Sequence, residues 1–396
     1  MRKEHNIPLR RVVALILAAV LTTGVLTAAV CLLLIRPSGD TGELNALAKE
    51  LQGLIDQKFV GEQDKQGSID GALAGYVDGM GDRWSYYMSA EEYEEHLEKQ
   101  KVSGVGIGVN VVYDESAKNL CVLQVFEDSP AEGAGLQPYD RITAVNGVTV
   151  AESGYEQAVD SVRGEIGTDV TLTVLRAETE REEEITITRQ EYAHKYLNYH
   201  MMSDGTTGYV QIERFLQETG EYFVDAMKAL EAQGAERYVF DLRNNPGGQL
   251  SSLVECLDYL LPEGRIITLE DADGNVTSEF NSDADCVDAP MSVIINENSY
   301  SAAEFFAAAL QEYDQAEIVG EQTCGKGYSQ QTFALSNGAA VALSTHCYYT
   351  PNHVSLIGKG VMPDVACELS AEEIEHFYAL TDEEDSQIAA AKKALE

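Results

Sequence analysis

The stretch Met291-Ser-Val-Ile-Ile295, followed by Asn296-Glu-Asn-Ser-Tyr-Ser301-Ala-Ala-Glu304, predicts a strand that runs directly into a helix. Beyond that apolar helix the chain reads Gly325-Lys326-Gly-Tyr-Ser-Gln330. Ser301 opens the helix, and Lys326 follows in a glycine-flanked turn. A serine paired with a lysine is one variant of the serine-triad arrangement. The two segments therefore predict a hydrolase with Ser301 as nucleophile and Lys326 as its base.

Each of these residues also has a purely structural interpretation. Ser301 and Glu304 fit a capping box at a helix N-terminus. That position is compatible with catalysis, because the free N–H groups there, such as that of Ala302, would stabilise an oxyanion. Lys326 fits an exposed turn, and it can act as a base only if burial keeps its amine neutral. Gln330 would orient that amine, or it is simply a strand residue.

A second segment with chemical character follows the predicted strand Tyr238–Leu242. It reads Arg243-Asn-Asn-Pro-Gly-Gly248 and lies at the carboxyl end of the strand, where α/β sheets place their ligands. Gly247 is the predicted second oxyanion donor, with Gly248 as the alternative. An ordinary strand-to-helix turn would explain the Pro-Gly-Gly but not its neighbours. Alternating strands and helices on either side predict a core sheet covered by helices.

Residues 101–190 form a β-rich segment of different character. Gly104-Val-Gly-Ile-Gly108, Ser129-Pro-Ala131 and Asp140-Arg-Ile-Thr-Ala-Val-Asn-Gly147 resemble a PDZ domain. The resemblance implies that a peptide adds as a strand and that its terminal carboxylate binds backbone N–H groups. The implied nest consists of Val105, Gly106, Ile107 and Gly108. A dinucleotide loop is disfavoured because Val109 occupies the third glycine position.

The order and spacing of the motifs resemble the carboxyl-terminal processing (tail-specific) serine proteases over residues 40–396. The resemblance implies that Ser301, not Ser299, is the nucleophile, that Lys326 is the general base and that Gln330 orients it. It further implies a homodimer formed through the terminal helices, and a role in envelope protein processing or in sporulation-type signalling. Arg163 is a candidate for coupling the PDZ domain to the protease core. The matching segments are Asp241–Gly248, Ser299–Glu304, Val319–Thr323, Gly325–Gln330, Tyr349–Pro351 and Gly358–Asp364.

Several alternatives stay open at this level. A serine–histidine enzyme would use His346 or His353, which lie in the protease-like part. A catalytically inactive, membrane-tethered PDZ scaffold would keep the recognition module alone, although intact Ser301, Lys326 and Gln330 argue against it. A retinoid-binding or tricorn-type relative of the same fold is disfavoured by the PDZ insert and the lysine motif.

The N-terminus predicts a membrane anchor. Residues 12–35 are apolar and uncharged, and about 20 such residues span a bilayer. Arg2, Lys3, Arg10 and Arg11 precede them, which by the positive-inside rule keeps the N-terminus in the cytoplasm. The catalytic part is then extracytoplasmic on a single-pass cell-membrane protein. A cleaved signal is the alternative, but the apolar run is longer than a signal-peptide core.

Charge and cysteine content exclude some functions. The chain has 27 Lys and Arg against 66 Asp and Glu, a net charge of −39. So acidic a surface repels phosphate backbones, which argues against nucleic acid as a partner. No cysteine forms a C-x-x-C pair, so a zinc site is disfavoured, and we expect no metal and no cofactor. The six cysteines after the apolar run either pair or pack as small apolar side chains.

The expected fold class is a mixed α/β protease core with an inserted β-rich PDZ domain. An N-terminal helical subdomain and one transmembrane helix precede the insert. The expected partners are protein or peptide substrates with accessible C-termini, and the cell membrane. The predicted segments are 1–36 (cytosolic segment and span), 40–100 (helical subdomain), 101–190 (PDZ), 191–370 (protease core) and 371–396 (C-terminal helical segment).

Overall fold

The computed structural model describes residues 41–99, 103–193 and 195–396, which group into two compact units that divide between Ser68 and Ile69. The first unit contains helix α1 (Thr41–Lys58) and the start of helix α2 (Lys65–Asp78). The predicted span at residues 12–35 lies outside the described ranges. Within those ranges, no helix combines the length and apolar character that a bilayer crossing requires.

The segment from Ile69 to Lys99 carries the rest of α2, a short strand and a further helix. Helix α3 (Ala90–Lys99) begins with the predicted capping box, in which the N–H of Ser89 donates to Glu92 and the N–H of Glu92 donates to Ser89 Oγ. Strand β1 (Tyr86–Met88) precedes it and pairs with a strand of the core. The predicted helical segment therefore also supplies part of a core sheet.

Residues 103–193 form a β-rich module with its own apolar core. Every second residue of strand β7 (Asp169–Leu175) is buried, and Val170, Leu172 and Val174 have no exposed surface. Two paired strands at the base of the module, β2 (Ser103–Gly106) and β9 (Gln190–Ala193), carry the chain in and out. The elements between them are β3 (Val109–Asp114), β4 (Asn119–Val125), α4 (Pro130–Gly133), β5 (Arg141–Val145), β6 (Val148–Thr149), α5 (Val150–Val162), β7 (Asp169–Leu175) and β8 (Glu182–Thr188).

A six-stranded sheet forms the centre of the core. Its first strand is antiparallel and the other five are parallel, as the alternating strands and helices predict. Its apolar strand Met291–Ile295 is buried throughout. In spatial order the strands are β10 (Leu197–Met201), β11 (Thr207–Ile212), β12 (Arg237–Asp241), β15 (Met291–Ile295), β16 (Ala316–Gly320) and β19 (Val365–Ala366). The connecting helices are α6 (Thr219–Gln233), α7 (Leu250–Leu260) and α8 (Ala302–Glu312).

A second, antiparallel sheet was not predicted from the sequence. It matters for function because its strand β17 (Tyr328–Ala334) begins two residues after Lys326. Its central strand β18 (Ala340–Tyr349) pairs on one side with β1 and β13 (Gly264–Glu270) and on the other with β17. The strands are β1, β13 (Gly264–Glu270), β14 (Val276–Ser282), β17 (Tyr328–Ala334) and β18 (Ala340–Tyr349).

The chain ends in helices α9 (Ala371–Glu375) and α10 (Ser386–Ala394), close to the predicted bounds. Arg243, directly after β12, fixes the start of α10 to the central sheet. Its guanidinium donates to Asp241, to Asp385 Oδ2 at 2.7 Å and to Gln387 Oε1 at 3.0 Å. All four side chains are buried, so the two carboxylates and the guanidinium satisfy one another without water.

We expect Arg243→Leu to lower the free energy of unfolding by about 3–5 kcal/mol, since it leaves the Asp241 and Asp385 carboxylates buried without a cation. Urea unfolding measures this. Arg265→Leu is the matched control, because the Arg265–Glu279 pair is exposed and such pairs contribute little. Equal losses in both variants would contradict this account of the cluster.

Candidate active site

Ser301 occupies a strained turn between β15 and α8. Its backbone angles, φ 52° and ψ −116°, lie in a region that residues with a side chain rarely adopt. Such strain costs on the order of 1–3 kcal/mol and persists only where the surroundings impose it. Here the N–H of Ser301 donates to Glu304 Oε2 at 2.8 Å, and its carbonyl accepts from the N–H groups of Glu304 and Phe305. The side chain is therefore presented at the N-terminus of the helix.

Ser299, the other serine of the Ser-x-Ser pair, is bound into the scaffold. It is fully buried, and its hydroxyl donates to the carbonyl of Leu242 at 2.8 Å and accepts from the N–H of Asn296. The loop after β12 is thereby joined to the loop after β15. A second link runs from the N–H of Tyr300 to the carbonyl of Asn245. Ser299 holds the turn, and Ser301 is left as the serine exposed to the site.

The glycine pair after β12 lies directly against this turn. Gly247 has φ 86°, and a Cβ there would come within 2.9 Å of both the Ala302 nitrogen and the Ser301 Cβ, so only glycine fits. Its N–H, however, donates to the buried Asn245 Oδ1 at 2.7 Å. The N–H groups of Gly248 and Ala302 make no hydrogen bond within the described part of the chain. The pair adjoins Ser301 as predicted, but the Gly247 donor is occupied.

The carboxylate of Glu304 connects Ser301 to the lysine loop. It is fully buried on α8 and accepts four hydrogen bonds. Oε2 accepts from the N–H groups of Ser301 and Lys326, each at 2.8 Å. Oε1 accepts from the Thr323 hydroxyl at 2.6 Å and the Gly325 N–H at 2.7 Å. Because Ser301 and Lys326 share one acceptor oxygen, their backbones are adjacent across 25 residues of sequence.

The glycines beside Lys326 are needed for packing. A Cβ on Gly325, which has φ 84°, would lie 2.9 Å from the Lys359 nitrogen, and one on Gly327 would lie 2.7 Å from a side-chain carbon of Ile357. Both glycines are buried under the segment around Gly358. The loop therefore packs closely against the rest of the protein, and the interpretation of Lys326 as an exposed turn residue is wrong.

The amine of Lys326 is partly buried and points to Gln330. Its Nζ donates to Gln330 Oε1 at 2.7 Å, as the spacing predicts, and lies 4.7 Å from the centre of the Trp84 ring. Burial lowers the pKa of Lys326 below its usual value, although the Cys324 thiol and the Glu304 carboxylate act in the opposite direction. A lowered pKa raises the fraction of neutral amine, the form that accepts a proton.

Two contacts of this site have no local signal in the sequence. Gln330 Nε2 donates to the carbonyl of Trp84, and Arg83 donates to Cys324 Sγ at 2.9 Å. Both join residues more than 240 positions apart. Nothing in the sequence of residues 81–86 indicates that Trp84 contacts the lysine.

Comparison with known proteins gives the same assignment. The sequence model of peptidase family S41 matches residues 206–367, and that of a PDZ domain matches residues 104–187. A carboxyl-terminal-processing protease of Synechocystis sp. is 34% identical over 298 residues, which cover 74% of this chain and 69% of that protein. The chain belongs to peptidase family S41. It is a carboxyl-terminal processing serine protease with a PDZ domain.

Two further relatives agree with this S41 assignment. A CtpA-like serine protease of Staphylococcus epidermidis is 31% identical over 371 residues, covering 92% of this chain and 74% of that protein. The crystal structure of an S41 protease from Bacteroides fragilis superposes with a TM-score of 0.59 at 17% identity, over 84% of this chain and 90% of that one. The second likeness shows a shared fold.

The PDZ domain of this S41 protease has a peptide-sized cleft between β2 and α5. The cleft has a volume of about 220 Å³ and is lined by Val105 to Gly108 on one side and by Val159 and Val162 on the other. The N–H groups of Ile107 and Gly108 bond to no other described residue. A Cβ on Gly108 would lie 2.3 Å from that of Ser129, so the loop requires glycine. The predicted nest therefore borders an apolar cleft.

Two arginines near this cleft differ in their exposure to solvent and in their contacts. Arg163 lines its rim and is largely exposed, and its guanidinium lies 3.8 Å from the Asp160 carboxylate. Arg189 is buried and donates to the carbonyls of Ser161 and Val162 at the end of α5. Arg189 also immediately precedes β9, the strand by which the chain leaves the domain. It ties the helical wall of the cleft to the exit strand.

We expect Glu304→Gln to lower kcat/KM at least about a hundredfold, because the amide nitrogen cannot accept, and either the Ser301 and Lys326 N–H groups or the Gly325 N–H group loses its acceptor. It should also lower the free energy of unfolding by about 1–3 kcal/mol, the cost of leaving buried donors unpaired. Peptide hydrolysis and urea unfolding measure the two effects. Glu297→Gln, on the exposed part of the preceding loop, is the control. Near-normal activity in Glu304→Gln would refute this role for the carboxylate.

Proposed function

We propose that this S41 protease cleaves unstructured substrate tails with Ser301 as nucleophile, Lys326 as general base and Gln330 as the residue that orients the base. The observation that supports this most directly is the Glu304 carboxylate, which binds the N–H of the serine turn and the N–H of the lysine turn through one oxygen. A buried amine with a lowered pKa completes the requirement for a neutral base.

The proposed reaction moves one proton back and forth. The Lys326 amine turns from Gln330 to Ser301 and takes the hydroxyl proton as Oγ attacks the scissile carbonyl. The resulting ammonium then protonates the leaving amine, and an acyl-enzyme forms. Water, deprotonated by the same amine, attacks the ester. The ammonium so formed returns the proton to Ser301 Oγ as the acyl–oxygen bond breaks, which releases the new C-terminus and restores the serine and the neutral amine. The protein thus needs neither a metal nor an organic cofactor for this sequence of steps.

The oxyanion is proposed to bind the N–H of Ala302 and one N–H of the Gly247–Gly248 pair. The Gly248 N–H is available as the structure stands. The Gly247 N–H becomes available only after the carboxamide of Asn245 turns away. Preorganised donors of this kind contribute about 3–4 kcal/mol each to the barrier reduction in serine proteases.

Substrate choice is proposed to come from the PDZ cleft. A peptide would add along β2, with its carboxylate on the Val105–Gly108 loop and its last side chain between Val159 and Val162. The unbonded N–H groups of Ile107 and Gly108 support this placement. Arg163, on the rim of the cleft, is the proposed contact through which an occupied cleft influences the protease core.

The cellular setting is also a proposal. The apolar run at residues 12–35 and the basic residues before it support a single-pass membrane anchor with the catalytic part outside the cytoplasm. In that setting the enzyme would process envelope proteins or act in sporulation-type signalling. The proposed homodimer would use surfaces other than the apolar side of α10, which is buried within the chain. Fractionation of cells expressing the full chain, or a variant without residues 12–35, tests the anchor.

The second candidate is a catalytically inactive, membrane-tethered PDZ scaffold. The strained Ser301 turn and the buried Lys326 amine argue against it, because a scaffold gains nothing from either. Cleavage of an unfolded reporter distinguishes the two functions.

We expect Ser301→Ala and Lys326→Met each to reduce kcat/KM for an unfolded reporter by at least about a thousandfold, since each removes one partner of the proton transfer. Ser251→Ala and Lys228→Met, at exposed positions on α7 and α6, are the matched controls. Thermal unfolding should show no loss of stability in Lys326→Met, because methionine fits the partly buried site without a charge. Full activity of Ser301→Ala would reject the assignment.

The wild-type enzyme should also gain activity as pH rises through the lowered pKa of Lys326, because the base works only when neutral. The midpoint of this acidic limb in kcat/KM should lie below the ordinary lysine pKa, here 10.5. Steady-state kinetics across pH measure it. A midpoint at or above that value would show that the amine is not held in a dry environment.

A further inference from the structure

Trp84 covers the amine of the proposed base. The centre of its ring lies 4.7 Å from Lys326 Nζ. Its carbonyl accepts from Nε2 of Gln330, and Oε1 of the same carboxamide accepts from Nζ at 2.7 Å. Trp84 therefore touches the base through its ring and orients the partner of the base through its main chain.

The position of Trp84 is fixed by its own segment. The N–H of Trp84 and the hydroxyl of Ser85 donate to the carboxylate of Asp82, at 3.1 and 2.6 Å. Ser85 in turn accepts from the N–H of Ser344 at 3.0 Å, which joins the turn to β18. Strand β1 then continues the pairing with β18. The tryptophan is thus held against the core on both sides.

The ring also reaches the turn of the nucleophile. Its centre lies 6.2 Å from that of Tyr300, edge to face, and Tyr300 directly precedes Ser301. The guanidinium of Arg83 lies 4.2 Å from the same ring and donates to Cys324, two residues before the base. Trp84 thus contacts the base and the residue beside the nucleophile through its ring, and the orienting residue through its carbonyl.

A ring over an amine has two opposing effects. It excludes water, which disfavours the ammonium and lowers the pKa, and its π face attracts the ammonium, which raises the pKa. Exclusion of water from a buried group shifts a pKa by up to about 3–5 units, whereas a cation–π contact contributes about 0.5–2 kcal/mol. Burial is the largest influence on the pKa of Lys326 and lowers it, so we expect the exclusion of water to dominate over the π attraction.

The other charged groups around Lys326 are carried by different elements. The Cys324 thiol belongs to the same loop, the Glu304 carboxylate to α8 and the Asp82 carboxylate to the turn before β1, and all three act to raise the pKa of Lys326. Arg83 is the nearby cation. Shortening the side chain of Trp84 removes none of these charged groups, although it removes the ring contact of Arg83, which keeps its hydrogen bond to Cys324.

We propose that Trp84 is a positioning residue of this protease: its ring keeps water from the Lys326 amine, and its carbonyl sets the Gln330 carboxamide that receives it. This inference rests on the proposed Ser301–Lys326 mechanism. Trp84 forms no bond with the substrate and acts only through the base.

Two substitutions separate the effect of water exclusion on the pKa of Lys326 from the effect of the π face. Trp84→Ala admits water, so the acidic limb of kcat/KM should move up by about one pH unit, a tenfold loss at any pH below the limb. Trp84→Leu keeps an apolar cover without a π face, so its limb should stay in place or move down. Tyr86→Ala, two residues on and exposed, is the control and should leave the limb unchanged.

A third measurement needs no variant of Trp84. Trp84 is the single tryptophan of the chain, so intrinsic fluorescence reports on this site alone. Its emission should change with pH at the midpoint of the kinetic limb in the wild type, and this transition should be absent in Lys326→Met. If Trp84→Ala fails to fold, as judged by thermal unfolding, this titration and Trp84→Leu decide the matter.

The outcomes are distinguishable. An upward shift in Trp84→Ala alone, with a fluorescence transition that depends on Lys326, supports the proposal. Any of three results overturns the proposal. The acidic limb of kcat/KM stays in place in Trp84→Ala, or it moves down in both Trp84 variants, or the wild-type emission does not change as Lys326 titrates. Full activity of Lys326→Met would instead overturn the proposed mechanism, whatever Trp84 does.

Discussion

The proposed catalytic arrangement depends on one buried carboxylate. Glu304 accepts four hydrogen bonds, and every donor belongs either to the serine turn or to the segment Thr323–Lys326. Burying a carboxylate without a cation in contact is expensive unless its lone pairs are satisfied. Here three backbone N–H groups and a hydroxyl satisfy them, and the N-terminal end of α8 adds a favourable dipole. The same bonds bring two distant segments together, so the requirement to solvate one charge also builds the site.

Buried polar contacts also connect the elements that surround the site. Arg243 and its two carboxylates fix the C-terminal helix to the strand whose loop carries Gly247 and Gly248. Ser299 joins that loop to the serine turn through buried hydrogen bonds. A displacement of helix α10 would therefore move the loop that carries the proposed oxyanion donors. Rigid polar links, rather than apolar packing alone, set the geometry around Ser301.

The sequence predicted best what local pattern determines. The strand Met291–Ile295 has the expected bounds, because an uninterrupted apolar run needs no tertiary context. The bond between Ser301 and Glu304 follows from a capping pattern four residues long. The other bonds of Glu304 reach 19 to 22 residues further, and no short pattern encodes them.

The strand and the contacts that the sequence did not predict depend on tertiary structure. Strand β17 reads Tyr-Ser-Gln-Gln-Thr-Phe-Ala and is largely exposed, so neither alternation nor an apolar run marks it. Trp84 meets Gln330 across 246 residues, a contact that only the folded second sheet creates. The glycine pair was correctly placed beside Ser301, but the sequence could not show that Asn245 would occupy the N–H of Gly247. The predicted domain boundaries and the segment before residue 41 stay predictions.

The paired strands β2 and β9 give the recognition module a narrow stem. Entry and exit of the chain are neighbours in register, with Ser103 opposite Ala193 and Gly106 opposite Gln190. An insertion whose two ends meet in this way adds little closure entropy to the host fold, since the host only has to bridge the width of two strands. The whole module can therefore be exchanged at this stem, either in evolution or by engineering. The same hydrolytic core would then act on substrates with different C-terminal sequences.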